Sequence, residues 1–138
     1  MEINKELQDF LNDNNILDLI AAQDWKELFS KVMGSQIAPS ALHEILVKSN
    51  IASTDEILLS LGYVPDGFFS RFDNLTSIKL PHNITSIGDY AFFDCSSLTS
   101  ITIPDKVTSI GQSAFYNCKK LTDITLPTSL TSIGYGAF

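Results

Sequence analysis

Two histidines, two cysteines and sixteen carboxylates are the groups in this chain that could do chemistry, and their spacing decides whether they do. His43 and His82 stand far apart, and neither has the HxxxH or CxxC company of a metal site. Cys95 with His82 would make a thiol–imidazole dyad only if the cysteine were exposed and low in pKa. Cys95 recurs as Cys118, and at the same interval before it the place is held by Phe72. A position shared with phenylalanine faces inward, which predicts two buried, reduced thiols that pack as small hydrophobes. A disulfide between them is the lesser reading, because stacked equivalents point in parallel directions. Asp55-Glu56 is explained by helix capping, and the six aspartates after residue 60 fall at turn positions, where they bond local backbone. Asn74-Leu75-Thr76 and Asn83-Ile84-Thr85 match the glycosylation sequon, a match that threonine-rich repeats generate by chance. No catalytic residue, cofactor or metal site is expected.

That interval runs through the second half of the chain. Residues 84–106 read ITSIGDYAFFDCSSLTSITIPDK and are followed without a gap by VTSIGQSAFYNCKKLTDITLPTS at 107–129. Residues 61–83 are an earlier copy, keeping Leu61, Val64, Asp66, Phe69, Leu75, Ile78, Leu80 and Pro81 in register, and 130–138 are a partial fourth. Units that repeat at this length stack so that neighbours share one core. Leu98, Ile101 and Ile103 before Pro104 make a short strand with alternate residues inward, as do their equivalents in the other copies. Ile84-x-x-Ile87 is a second extended stretch, and Gly88, Gly111 or Gly134 after it predicts a turn with positive φ. Ala91-Phe92-x-x-Cys95 fits one tight helical or 3₁₀ turn that puts a phenylalanine in the core. The first copy departs from this pattern, with Pro65 in place of Gly88 and Gly67-Phe68 in place of Tyr90-Ala91.

The combination of Ser-Ile-Gly, Ala-Phe and Ile-Pro elements over residues 61–138 resembles the BspA-like class of leucine-rich repeats, found mostly in bacterial and some protist surface proteins. The resemblance implies a curved solenoid that serves adhesion and protein recognition, with no enzymatic activity belonging to the fold.

On such a scaffold the outward strand positions are the place to seek a partner. Ser77 and Lys79 flank Ile78, Ser100 and Thr102 flank Ile101, and Asp123 and Thr125 flank Ile124, making two columns of small polar groups suited to hydrogen bonding. Equally, such columns serve a merely solvated sheet. Phe93 and Tyr116, each just after a core phenylalanine, form an aromatic pair on the opposite side.

Before residue 61 the periodicity is helical. Ile3, Leu7, Phe10 and Leu11 share one face of a helix stopped by Asn12-Asp13-Asn14-Asn15, and a second run begins near Ile16. Asp24-x-x-Glu27 opens a third, Pro39 a fourth, and Ser53-x-x-Glu56 a last helix ended by Gly62. Trp25 is placed as a core anchor of these helices, or as the first interaction hot spot to test. The fold class expected is therefore α+β: an acidic helical cap at 1–60 covering the apolar end of a short solenoid at 61–138.

The formal net charge is −7, of which −6 falls within residues 1–60. That balance argues against nonspecific nucleic-acid binding, which needs lysine and arginine to neutralise phosphate, and suits a basic protein partner as well as simple solubility. No segment has membrane-span length, and Met1 to Phe10 lacks a signal-like apolar run, so a cytoplasmic location is expected, or a surface or secreted one if a leader was removed. The function expected is a non-enzymatic protein-interaction module. The alternatives are a fragment of a larger surface adhesin and a small acidic inhibitor that occupies a basic site on an enzyme. End-to-end self-association through an uncovered last repeat is a further expectation.

Overall fold

The computed structural model describes residues 5–138. Five helices come first: α1 (Lys5–Leu11), α2 (Asn14–Ala21), α3 (Trp25–Met33), α4 (Pro39–Lys48) and α5 (Thr54–Leu61). Ile3, assigned from the sequence to the first helix, lies outside the described residues. Only Asn12 and Asp13 separate α1 from α2. Asn14 is already helical because the Asp13 carboxylate accepts the Asn15 N–H at 2.8 Å, capping the new helix instead of prolonging the break. Asp24 accepts from the Glu27 N–H at 3.2 Å, and the Ser53 hydroxyl accepts from the Glu56 N–H at 3.1 Å. Pro39 opens α4 without a side-chain cap, and Gly62, at φ 77°, ends α5 in the left-handed region. Leu28, Val32, Leu42, Leu46, Ile57 and Leu58 are fully buried. Trp25 is 3% exposed, which fixes it as an anchor of the helices.

The repeats form two parallel three-stranded sheets. One joins β1 (Ser77–Lys79), β3 (Ser100–Thr102) and β5 (Asp123–Thr125); the other joins β2 (Ser86–Ile87), β4 (Ser109–Ile110) and β6 (Ser132–Ile133). Each residue pairs with its equivalent one repeat away, Ile78 with Ile101 with Ile124 and Ile87 with Ile110 with Ile133. A single bridge from Val64 to Ile87 carries the second ladder into the first copy. The threonine before each β2-type strand adds a rung, Thr85, Thr108 and Thr131 each donating its hydroxyl to a carbonyl of the preceding repeat.

Between the sheets the chain is not a helical or 3₁₀ turn. It is a run of turns in which alternate N–H groups serve different partners. Tyr90, Phe92 and Asp94 donate to the carbonyls of Gln112, Ala114 and Tyr116 in the next repeat, while Ala91, Phe93 and Cys95 donate within their own repeat to Gly88, Tyr90 and Phe92. This alternation requires positive φ at Tyr90 (58°) and Asp94 (58°), and at their equivalents Gly67, Arg71, Ser113, Asn117 and Gly136. The phenylalanine expectation holds: Phe69, Phe92, Phe115 and Phe138 stack with centroids 4.8, 5.0 and 5.3 Å apart.

Gly88, Gly111 and Gly134 do not adopt positive φ, contrary to the expectation from the sequence. They are glycines because the previous repeat passes too close. A Cβ on Gly88 would stand 2.6 Å from the Asp66 nitrogen and 2.8 Å from the Pro65 carbonyl carbon.

The first copy turns like the others, since Gly67 at φ 66° replaces Tyr90. Its Phe68, in the place of Ala91, is fully buried and meets the helices. The Phe68 ring lies 5.3 Å from Phe29 of α3 and stacks at 3.9 Å on His43 of α4. Helices and repeats thereby share one apolar cluster.

Candidate interaction surface

The structure aligns the strand residues singled out from the sequence. Ser77, Ser100 and Asp123 pair into one column, and Lys79, Thr102 and Thr125 into a second, flanking the inward isoleucines of β1, β3 and β5. Lys79, Thr102, Asp123 and Thr125 are exposed, as is Ser77, while Ser100 is half-buried. Inward packing of Ile101 on one side of each strand leaves the alternate residues on the other. Phe93 and Tyr116 stack 5.5 Å apart at 10°, but on the ladder of turns and not among the strand columns.

Sequence reasoning missed what surrounds that aromatic pair. Tyr90 meets Phe93 edge-on at 5.5 Å, the Arg71 guanidinium lies 6.0 Å from the Phe93 centroid, and the Asp94 carboxylate takes Asn117 Nδ2 at 2.7 Å. Arg71, Asp94 and Asn117 occupy the same place in successive repeats, so the register already placed them side by side.

Burial raises the pKa of both thiols and lowers that of His43. Cys95 is buried, and its thiol donates to the Phe69 carbonyl at 3.1 Å; burial first, and then the neighbouring Cys118, push it up to about 12. Cys118 also donates to a backbone carbonyl, that of Phe92, at 3.1 Å, and burial pushes it up to about 11. It is only half-buried, however, where Cys95 is buried. Both cysteines are free thiols.

His43 is 1% exposed. Since a carbonyl can only accept, Nδ1–H donates to Phe68 O at 3.0 Å, and the Thr54 hydroxyl donates to Nε2 at 2.7 Å. Burial lowers its pKa to about 4 against the opposing pull of the Phe68 carbonyl, so the ring is a neutral structural pin between α4, α5 and the first repeat. Among the described residues no group of three His, Cys, Asp or Glu side chains is placed to hold a metal ion, and no helix is long and apolar enough to cross a membrane.

Comparison with known proteins places this geometry. The model of the BspA type leucine rich repeat region matches residues 40–138 in six copies, taking in α4 and α5 as well as the strands. The crystal structure of a T. pallidum leucine rich repeat protein is 35% identical over 52% of this chain, with a TM-score of 0.51. The match covers 34% of that protein's chain, so this chain answers to about a third of it. No curated protein matches the sequence. Leucine-rich repeat domains generally mediate protein–protein interaction, and the family is typically a non-enzymatic scaffold. With residues 40–138 under the family model and every strand paired in the register of the repeat, the chain belongs to the BspA-type leucine-rich repeat family.

Proposed function

We propose that the chain is a non-enzymatic protein-interaction module in which a helical cap, residues 1–60, closes one end of a short solenoid, residues 61–138, that presents the β1–β3–β5 columns to a partner. The observation that carries this reading is the in-register alignment of Ser77, Ser100 and Asp123 beside Lys79, Thr102 and Thr125 over a rigid apolar floor. Polar groups on parallel strands sit at fixed spacing and lose little side-chain entropy when a partner engages them, which favours binding. The cap reading is supported by the shared apolar cluster and by the Phe68 contact with His43 and Phe29.

Affinity capture followed by mass spectrometry, run in parallel with a Ser77→Arg/Asp123→Arg variant, tests the proposal. Both positions are exposed, so the variant should keep its melting temperature. A partner lost from the variant supports the reading; a partner retained equally by both overturns it.

Self-association has its own support. Leu126, Ile133 and Phe138 are 43, 50 and 55% exposed, where their equivalents Ile103, Ile110 and Phe115 are 2% exposed. Two copies packing these faces together would bury them. Light scattering over a broad concentration range reads the outcome, and a strict monomer at high concentration contradicts it.

A further inference from the structure

The ends of β1 and β3 and the proline turns that follow them bound a groove of about 560 Å³. Its apolar side is made by Ile78, Leu80, Ile103 and Pro104, of which Leu80 and Ile103 are core residues presenting only an edge. On the rim stand the ammonium groups of Lys79 and Lys106, both exposed, against one carboxylate, that of Asp105. Three other cations have a carboxylate beside them: Lys31 sits 3.9 Å from Glu27, Lys48 3.0 Å from Glu44, and Arg71 3.8 Å from Asp94. Among the described residues Lys79 and Lys106 make no ion pair. A local excess of unmatched cations beside an apolar floor is thus set in a chain whose net charge is −7.

We propose that this groove takes a segment of a partner protein in which apolar side chains are flanked by carboxylates. The inference rests on the protein-interaction reading above and specifies its chemistry. The aliphatic side chains of such a segment would replace water over Ile78, Leu80, Ile103 and Pro104, and its carboxylates would meet Lys79 and Lys106. Thr102, paired with Lys79 across the sheet, offers a hydroxyl that can donate or accept at the segment's backbone. The acidic remainder of the surface repels the same segment, so charge steers it to the groove.

The test is a titration of the full chain, carrying ¹³C-labelled isoleucine and leucine methyl groups, with the acetylated and amidated peptide Asp-Leu-Leu-Asp at low ionic strength. Its counterpart Lys-Leu-Leu-Lys serves as the charge control. The acidic peptide should shift the methyl resonances of Ile78, Leu80 and Ile103, and a Lys79→Glu/Lys106→Glu variant of unchanged melting temperature should weaken its binding about fivefold or more. Equal response to the basic peptide overturns the proposal, as does undiminished binding by the variant. Absence of any shift also overturns it. Shifts confined to residues outside the groove do so too, while leaving the wider reading to the Ser77→Arg/Asp123→Arg comparison, whose positions do not line the groove.

Discussion

His43 shows how one residue can tie a fold to pH. Its folded-state pKa of about 4 lies below the ordinary value of 6.5, so between these limits the unfolded chain binds a proton that the folded chain refuses. Stability is therefore fully present above about pH 6.5 and falls as pH drops toward 4, by up to about 3 kcal/mol from this group alone. Denaturant titrations across that window should show the loss, and a His43→Phe chain should show a shallower slope; an unchanged slope would remove His43 from the account. The thiols make a second residue-scale case. Cys118, half-buried, should react with a thiol reagent well before Cys95, which sits in the core. Equal, rapid labelling of both in the folded chain would contradict the packing described. The inward orientation of these cysteines was legible because phenylalanine occupies the same register at residue 72. The role of His43 was not legible, since its carbonyl partner, Phe68, lies in a copy of the repeat that departs from the pattern.

The strands were readable from the sequence because their alternation and terminal prolines are local signals, present in each of the full copies. The turns were not. Positive φ falls at Gly67, Tyr90, Ser113 and Gly136, a mixed set in which glycine is only an occasional choice. Conversely, the glycines that recur without exception in the later copies are demanded by the backbone of the preceding repeat, a whole unit back along the chain, and no local rule reveals that. The two causes predict different costs. Gly111→Ala drives a Cβ to 2.5 Å from the Asp89 nitrogen and 2.6 Å from the Gly88 carbonyl carbon, both backbone atoms that yield little. It should destabilise by about 3 kcal/mol. Gly67→Ala meets only Pro39 ring carbons, the nearest at 3.6 Å, and should lose about 1 kcal/mol through its φ of 66°. Chemical denaturation of the two variants distinguishes them, and reversal of the order would refute the close-approach explanation.

At the scale of the whole molecule the question is whether helices and repeats are one folded unit. The sequence separated them by periodicity, helical before residue 61 and tandemly repeated after it, and that change of period shows nothing of the contact between the two parts. Contact comes from Phe68, which fills the place of a repeat alanine with a ring that stacks on His43 and packs against Phe29. Three repeats and a fragment are near the lower limit for stacked units, and removing the helices would uncover Phe68 and Phe69, both now buried against His43. The strand columns are held only as firmly as this shared core. Scanning calorimetry of the full chain beside a fragment of residues 61–138 tests that claim most directly. The full chain should melt in a single cooperative transition and the fragment should show none; a soluble fragment melting cooperatively near the temperature of the full chain would contradict it.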